Sequence, residues 1–326
     1  MFDLSFNTTQ QSTLFDTTDR WDLLIIGGGP AGLNAALYAQ RKGLKVGLIA
    51  KDIGGQLHNT TDVDNYLGFQ RLEGKTLSNQ FLNHVKALDV PIKSDVFVTQ
   101  ITPQKALFSL QLSDGKTLFS KTIIIATGSK PRKLNIPGEE TFSNRGVSYC
   151  TTCDAPFFKD KHVIVSGGGN SAAEAVLDLS YWAKHITVVH RSRWRADKLL
   201  LDKISNLPNV TIHLETQIIN VDGDEMMRGV HVLDKNTQST RFIHAEGLFI
   251  EIGTIPMSDL VTGFVQLNAN HEIVVDAMQM SSIPGLFAAG DVSHQPFKQI
   301  IIAAAEGAKA ALAVTQYINQ KTKESY

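Results

Sequence analysis

Cysteine is almost missing from this chain of 326 residues: there are two, Cys150 and Cys153, and they stand three apart. A structural disulfide framework needs more cysteines than that, so the pair is not a scaffold. A reducing, cytoplasmic compartment is expected, where a Cys-x-x-Cys is catalytic or binds metal. Zinc needs two further ligands, and neither a second Cys-x-x-Cys nor a His-x-x-x-His supplies them, so no metal is expected. Long apolar runs are missing too: none reaches the roughly 18 residues that span a bilayer. Excess charge of either sign is absent, 31 Lys and Arg against 32 Asp and Glu. That gives no electrostatic case for nucleic acid or an anionic membrane as partner. The first twenty residues lack the basic-then-apolar pattern of a signal peptide, and residues 1–19 are expected to form a flexible arm.

What is present is apolar content, 43% of the chain, enough to bury a real core. The length favours two domains. Residues 22–26 form a short apolar run, expected as a buried parallel strand. It ends in Gly27-Gly28-Gly29-Pro30-Ala31-Gly32, followed by a helical pattern to about residue 42 and a second strand over 44–50. This is strand, glycine loop, helix, strand, with Gly27, Gly29 and Gly32 spaced as G-x-G-x-x-G. In such a loop the first glycine makes the turn, the second admits a pyrophosphate, and the third lets helix and strand pack closely. The helix N-terminus then offers unpaired N–H groups to phosphate.

The device returns. Residues 161–166 predict a strand, then come Gly167-Gly168-Gly169-Asn170-Ser171-Ala172, a helix over about 173–183 and a strand over 186–190. A strand over 122–128 ends in Ala126-Thr127-Gly128, and another over 285–291 ends in Gly290-Asp291, whose carboxylate can accept hydrogen bonds from a sugar-alcohol chain. A small-residue helix is expected over 299–314, able to lie close to a flat cofactor, its dipole favouring negative charge on a reduced ring. Pro and Gly near 134–138 and 253–256 read as crossings between domains. The fold class is therefore α/β, two Rossmann-like dinucleotide-binding domains with the second inserted into the first. The first is expected over 20–131 plus 257–326, the second, carrying the Cys-x-x-Cys, over 132–256.

With these residues in this order, the chain after residue 20 resembles the low-molecular-weight thioredoxin reductase family. Within it the chain looks most like the flavoprotein subunit of alkyl hydroperoxide reductase without its N-terminal thioredoxin-like domains. The motifs that carry the resemblance include the two glycine loops, Gly54-Gly55-Gln56, Asp64-Asn65-Tyr66, Ala126-Thr127-Gly128, Ile136-Pro137-Gly138-Glu139, Cys150-Thr151-Thr152-Cys153-Asp154, Ala289-Gly290-Asp291 and Lys298-Gln299-Ile300-Ile301.

The resemblance implies FAD held by Gly27, Gly29, Gly32, Gly55, Gln56, Asn65, Thr127, Gly128, Gly290, Asp291 and Gln299. It implies a nicotinamide nucleotide held by Gly167, Gly169, Asn170, Ser171 and Arg191. It implies a homodimer, a hinge between the domains, and a thioredoxin- or glutaredoxin-like partner. Cys153 would face the flavin, Cys150 would attack the partner disulfide, and Asp154 would serve as acid or base. The residues agree: one thiol of a Cys-x-x-Cys can be strongly acidified, and a nearby carboxyl can protonate a leaving thiolate.

One segment departs from the family. NADPH-using members carry His-Arg-Arg after the second loop and another Arg shortly after. Here residues 190–195 read His190-Arg191-Ser192-Arg193-Trp194-Arg195, one Arg of the pair missing and the stretch one residue shorter. No acidic residue marks a dedicated NAD site. NADPH is the favoured donor, with NADH, ferredoxin, a deazaflavin or a second flavin as alternatives. A reductase that feeds a peroxiredoxin through a separate carrier is the rival activity.

Overall fold

A computed structural model describes residues 15, 20–60, 62–105 and 107–324. The arm expected over 1–19 lies, apart from Phe15, outside the described residues. The chain divides into two compact units: Met1–Thr60, Leu72–Ser129 and Pro256–Tyr326 form the first, Thr61–Arg71 and Lys130–Ile255 the second.

The first unit begins with Arg20–Gly28 (β1), whose Leu23, Leu24 and Ile25 are all fully buried. A strand buried on both faces is what a parallel sheet covered on each side requires. Pro30–Arg41 (α1) follows at once, with Pro30 in its first turn where a missing N–H costs nothing. Val46–Ile53 (β2) pairs parallel with β1. Gly74–Lys86 (α2) then leads to the two-residue strand Ile92–Lys93 (β3), and Val98–Pro103 (β4), Phe108–Leu112 (β5) and Thr117–Ile125 (β6) extend the sheet. Its order is β3-β2-β1-β6-β5-β4. The second strand starts later than the sequence pattern predicts, because Gly43 turns in the left-handed region, and it runs on because Ile53 pairs with Gly28.

The second unit holds a five-stranded parallel sheet. Its strands are Val147–Ser148 (β7), His162–Ser166 (β8), His185–Val189 (β9), Val210–His213 (β10) and Gly247–Ile250 (β14), in the order β7-β14-β8-β9-β10. Between β7 and β8 lies the one-turn helix Thr151–Asp154 (α3). Asn170–Leu179 (α4) follows β8 and Lys198–Ser205 (α5) follows β9. Thr216–Gly223 (β11), Met227–Asp234 (β12) and Thr240–His244 (β13) form an antiparallel meander. The helix expected over 173–183 begins three residues earlier, directly on the glycine loop. It stops at Leu179, after which Ser180 and Trp182 close turns.

The chain then returns to the first unit. Leu286–Ala288 (β15) pairs parallel with β6, and Ile300–Glu324 (α6) closes the fold. This helix runs ten residues past the small-residue pattern, because Tyr317 and Ile318 continue its apolar face onto the same core as Leu23 and Ile25. Its small residues pack against α1: a Cβ on Gly307 would lie 2.0 Å from the Ala31 carbonyl oxygen, and Asn34 Nδ2 donates to the Ala304 carbonyl at 2.7 Å. Leu24 and Ile26 pack on the opposite face of the sheet, with Trp21, Leu110 and Leu118. No helix among the described residues is long and apolar enough to cross a membrane.

Candidate active site

In the first unit the glycine loop leaves no room for side chains at two of its three positions. A Cβ on Gly27, at φ +120°, would lie 2.2 Å from the Ala126 carbonyl oxygen, and one on Gly32 would lie 1.9 Å from the Gly27 carbonyl oxygen. Gly29 differs: a Cβ there would meet nothing within 4 Å. That open space faces the start of α1, which has no side-chain cap and no acidic residue in its first turn. Uncapped N–H groups over an open glycine are what a pyrophosphate needs. Gly55 lies against Gly29, its would-be Cβ 3.4 Å from the Gly29 Cα.

Asp291 completes this site. Its Oδ2 accepts from Gln56 Nε2 at 3.1 Å and from Ser129 Oγ at 3.4 Å. Burial pushes its carboxyl up, against the pull of Lys298. A half-buried carboxylate with acceptor capacity to spare suits the hydroxyls of a ribityl chain. Two groups hold the loop in place, Lys298 of the Lys-Gln-Ile-Ile motif and Glu306, which no motif includes. Glu306 on α6 accepts the Gly290 N–H at 2.8 Å. Lys298 donates to the Asp291 carbonyl at 3.0 Å and reaches Glu272 at 2.8 Å. Thr127 donates its hydroxyl to the Met257 carbonyl at 2.6 Å, and Gly128 takes φ +72° beside it. Gln299 sits just before α6, its carbonyl accepting the Ala303 N–H. The residues present therefore fit FAD. Asn65 alone of that set falls in the segment grouped with the second unit.

The second loop borders a cavity of about 550 Å³, lined among others by Gly168, Gly169, Ser171, Arg191, Arg195 and Arg132. Here too the glycine before the helix, Gly169, is open, and α4 starts without a side-chain cap. Arg195 is drawn in by its backbone, whose N–H donates to the Gly168 carbonyl at 2.7 Å. A Cβ on Gly168 would strike the His190 ring at 2.3 Å, so that imidazole occupies the space above the loop. Burial lowers the His190 pKa, and Arg195 and Arg191 push the same way. Asn170 is engaged elsewhere: its amide donates to Asp197 Oδ2 and its carbonyl accepts the Asp197 N–H, both at 2.9 Å. Trp194 packs against the core of this unit.

Cys150 and Cys153 are joined in a disulfide, with Cα atoms 5.3 Å apart across α3. Ser148, at the end of β7, links the pair to Asp154. The Cys150 N–H donates to Ser148 Oγ at 3.1 Å, and Ser148 donates to Asp154 Oδ2 at 2.6 Å. Burial pushes the Asp154 carboxyl up, and Asp64 and Asp62 add to this, against the bond from Ser148. A carboxyl so placed holds a proton more readily than a solvated one, as an acid for a leaving thiolate requires. On the other side of α3, Thr151 donates its hydroxyl to Glu251 Oε1 at 2.6 Å and its N–H to the same oxygen at 3.3 Å. Glu251 follows β14 and lines the cavity. Burial raises its carboxyl to about 7. Neither Glu251 nor Glu306 belongs to a recognisable motif; an acidic residue directly after an apolar strand is the one signal that marks Glu251.

The architecture matches the thioredoxin reductase of Streptococcus pyogenes MGAS5005 with a TM-score of 0.88 at 35% identity, over 92% of this chain and 99% of that one. It matches the thioredoxin reductase of Giardia duodenalis at 0.86 and 29%, with the same coverage. Among curated proteins, an alkyl hydroperoxide reductase subunit of Pseudomonas putida is 40% identical over 313 residues, 95% of this chain and 60% of that protein. The NADH dehydrogenase of Bacillus subtilis strain 168 is 38% identical over 305 residues, 93% and 60%. The chain thus spans about three fifths of the curated relatives it matches. The sequence profile of the pyridine nucleotide-disulphide oxidoreductases covers residues 21–307, from β1 through the inserted unit and into α6, and the chain belongs to that family.

Proposed function

We propose that this chain is a flavoprotein disulfide reductase, carrying electrons from NADPH through FAD and the Cys150–Cys153 pair to a disulfide in a thioredoxin- or glutaredoxin-like protein. The observation that carries the reading is the Cys150–Cys153 disulfide bordered by the half-buried Asp154 carboxyl, in a unit that also contains an arginine-lined cavity beside a glycine loop. FAD bound at the first loop supplies a two-electron carrier between nicotinamide and sulfur. The open Gly29 and the α1 N-terminus take its pyrophosphate, and Asp291 and Gln56 its sugar chain. We assign it to the segments 20–131 and 257–326, and the nucleotide and dithiol to 132–256.

In the thiol half-reaction the Cys150 thiolate attacks a sulfur of the partner disulfide, forming a mixed disulfide and releasing one partner thiolate, which Asp154 protonates. The Cys153 thiolate then attacks the Cys150 sulfur, freeing the second partner thiolate and restoring the internal disulfide. Arg191 and Arg195 favour a donor that carries a 2′-phosphate. By the same resemblance the enzyme is read as a cytoplasmic homodimer, which sedimentation at micromolar concentration checks.

The test is anaerobic: NADPH, then NADH, is mixed with the purified protein and flavin bleaching is followed. Rapid bleaching by NADPH is expected. Bleaching only by dithionite or reduced ferredoxin rules out a nicotinamide donor. In Cys150→Ser, bleaching should persist while thioredoxin reduction stops; continued thioredoxin reduction overturns the mechanism. The likeness to the alkyl hydroperoxide reductase protein of Pseudomonas putida, of which this chain spans three fifths, supports a second reading in which a separate carrier takes the electrons to a peroxiredoxin. Relative rates with thioredoxin and with a carrier plus peroxiredoxin separate the two.

A further inference from the structure

Glu251 stands between two sites of the second unit. On one side its Oε1 holds Thr151, inside the Cys-Thr-Thr-Cys turn, through both hydroxyl and N–H. On the other the residue lines the cavity beside the glycine loop, its carbonyl oxygen 2.3 Å from where a Cβ on Gly167 would lie. The sheet order says which end of the cavity. A dinucleotide lies with its adenosine ribose over the strand after the loop helix and its pyrophosphate at that helix N-terminus. Those positions are the end of β9, where Arg191 and Arg195 sit, and the start of α4. β14 lies on the opposite side of β8 from β9, so the remaining half of the dinucleotide runs toward residues 251–253.

We propose that Glu251 is a positioning residue that couples the nicotinamide end of the nucleotide cavity to the reactivity of Cys150, through its paired hydrogen bonds to Thr151. The inference rests on the cavity being a nicotinamide nucleotide site. An ionised Glu251 opposes formation of a second negative charge on the thiol next to Thr151. The positive ring of an oxidised nicotinamide, set against the same carboxylate, offsets that charge and eases thiolate formation. Once the electron pair has passed from NADPH by way of FAD to the Cys150–Cys153 disulfide, the Cys150 thiol so formed is more reactive while NADP⁺ stays bound. The other charged groups that act on Glu251 are Asp178 and Glu174 of α4, both carboxylates, and both favour its neutral form. Arg132, beside Gly253, and Arg191 and Arg195 line the same cavity.

The experiment uses FAD-loaded Cys153→Ser protein, in which Cys150 is a single thiol that cannot close the disulfide or pass an electron pair to NADP⁺. Its alkylation by iodoacetamide is timed across pH, alone, with saturating NADP⁺, and with 2′-phospho-ADP-ribose, which keeps the phosphates and lacks the nicotinamide. Calorimetry on the same samples establishes that each compound binds. NADP⁺ is expected to raise the rate above neutral pH about threefold or more, and the ringless fragment not to do so. With Glu251→Gln added, which keeps an acceptor for Thr151, the rate without nucleotide should already be faster and NADP⁺ should add almost nothing. The step that Glu251 puts in the pH–rate curve should vanish in the same variant, a change that a merely structural contact would not produce. If NADP⁺ and the fragment act alike, or Glu251→Gln responds as its parent does, the inference fails while the nucleotide site stands. If neither compound binds, the nucleotide reading and the inference fall together.

Discussion

The two glycine loops of this protein share a pattern and are held in different ways. Around Gly27-Gly28-Gly29-Pro30-Ala31-Gly32 the constraints are mostly backbone: added Cβ atoms would meet carbonyl oxygens of Ala126, Asp52 and Gly27. Around Gly167-Gly168-Gly169-Asn170-Ser171-Ala172 they are partly side chain. The third glycine is replaced by Ala172, and Gly168 faces the His190 ring. Carboxylates and an ammonium brace the first site from behind, with Glu306 and Lys298 holding Gly290 and Asp291. The second opens as a cavity edged by arginines on the irregular segment after β9. A rigid backbone cradle suits a cofactor that stays bound; a cavity edged by movable cations suits a nucleotide that must come and go.

The largest effect expected from that contrast is on Gly32. Its Cβ position lies 1.9 Å from the Gly27 carbonyl, so Gly32→Ala must push α1 off β1. Overpacking of this kind costs about 1–3 kcal/mol or more, and here it distorts the cradle itself. The purified variant should retain little flavin, measured as the ratio of visible to ultraviolet absorbance. Ala172→Gly, the reciprocal change, should leave nucleotide binding nearly untouched. Equal flavin content in Gly32→Ala and the parent would break the comparison. Next comes Arg191→Gln. Loss of one charge-assisted contact is worth roughly 1.5–3 kcal/mol, a rise of about 10- to 150-fold in the KM for NADPH. The KM for NADH should change little, and FAD content not at all. An equal loss for both nucleotides would assign Arg191 to the shared pyrophosphate.

Much of this was legible in the sequence because it depends on local steric rules. Gly27, Gly29 and Gly32 announce a strand, a loop and a helix, and the Cys150–Cys153 spacing announces a dithiol turn. The small residues over 303–308 were legible as close contacts of a helix, but not their object. Ala303 and Gly307 look like room for a flat ring; in the fold a Cβ on Gly307 would run into the carbonyl of Ala31 on α1. The residue pattern places helix ends short or late where tertiary contacts override it, as Tyr317 and Ile318 do for α6. The supporting groups were not legible at all. Glu306 and Glu251 act across separations that only folding closes, 16 residues from Gly290 and 100 from Thr151. No spacing rule covers them.

A smaller effect tests whether the dithiol belongs to the second unit's chemistry in the way its hydrogen bonds suggest. Asp154 is pushed up by burial, so it keeps its proton to higher pH than a solvated aspartate. Asp154→Asn removes that proton source and should slow thioredoxin reduction about 100-fold, the usual scale of a general acid. The deficit should be largest on the acid side, where the native carboxyl is protonated. It should shrink as pH rises through the raised value, because the parent then loses the same proton. Flavin bleaching by NADPH should be unaffected at every pH.

The last effect is on stability, and it separates the two half-buried carboxyls that edge the two sites. Asp291 and Glu251 are both raised by burial, Glu251 from 4.5 to about 7. A carboxyl that binds its proton more tightly folded than unfolded stabilises the fold most below its unfolded value, and that contribution is lost as pH rises through the folded one. For Glu251 the window runs from 4.5 to about 7. Urea unfolding of Glu251→Gln should therefore show stability relative to the parent climbing across that window and levelling above it, by at most about 3 kcal/mol. The parent carries the opposing slope. For Asp291→Asn the same climb should appear in protein stripped of FAD, and added FAD should change it, since the cofactor's hydroxyls would then lie against that carboxyl. The Glu251 curve should ignore FAD and respond to NADP⁺ instead, whose positive ring favours the ionised form and flattens the slope. If FAD flattened the Glu251 curve, the two sites would not be independent, and the contrast between a retained cofactor and an exchanging one would have to be redrawn.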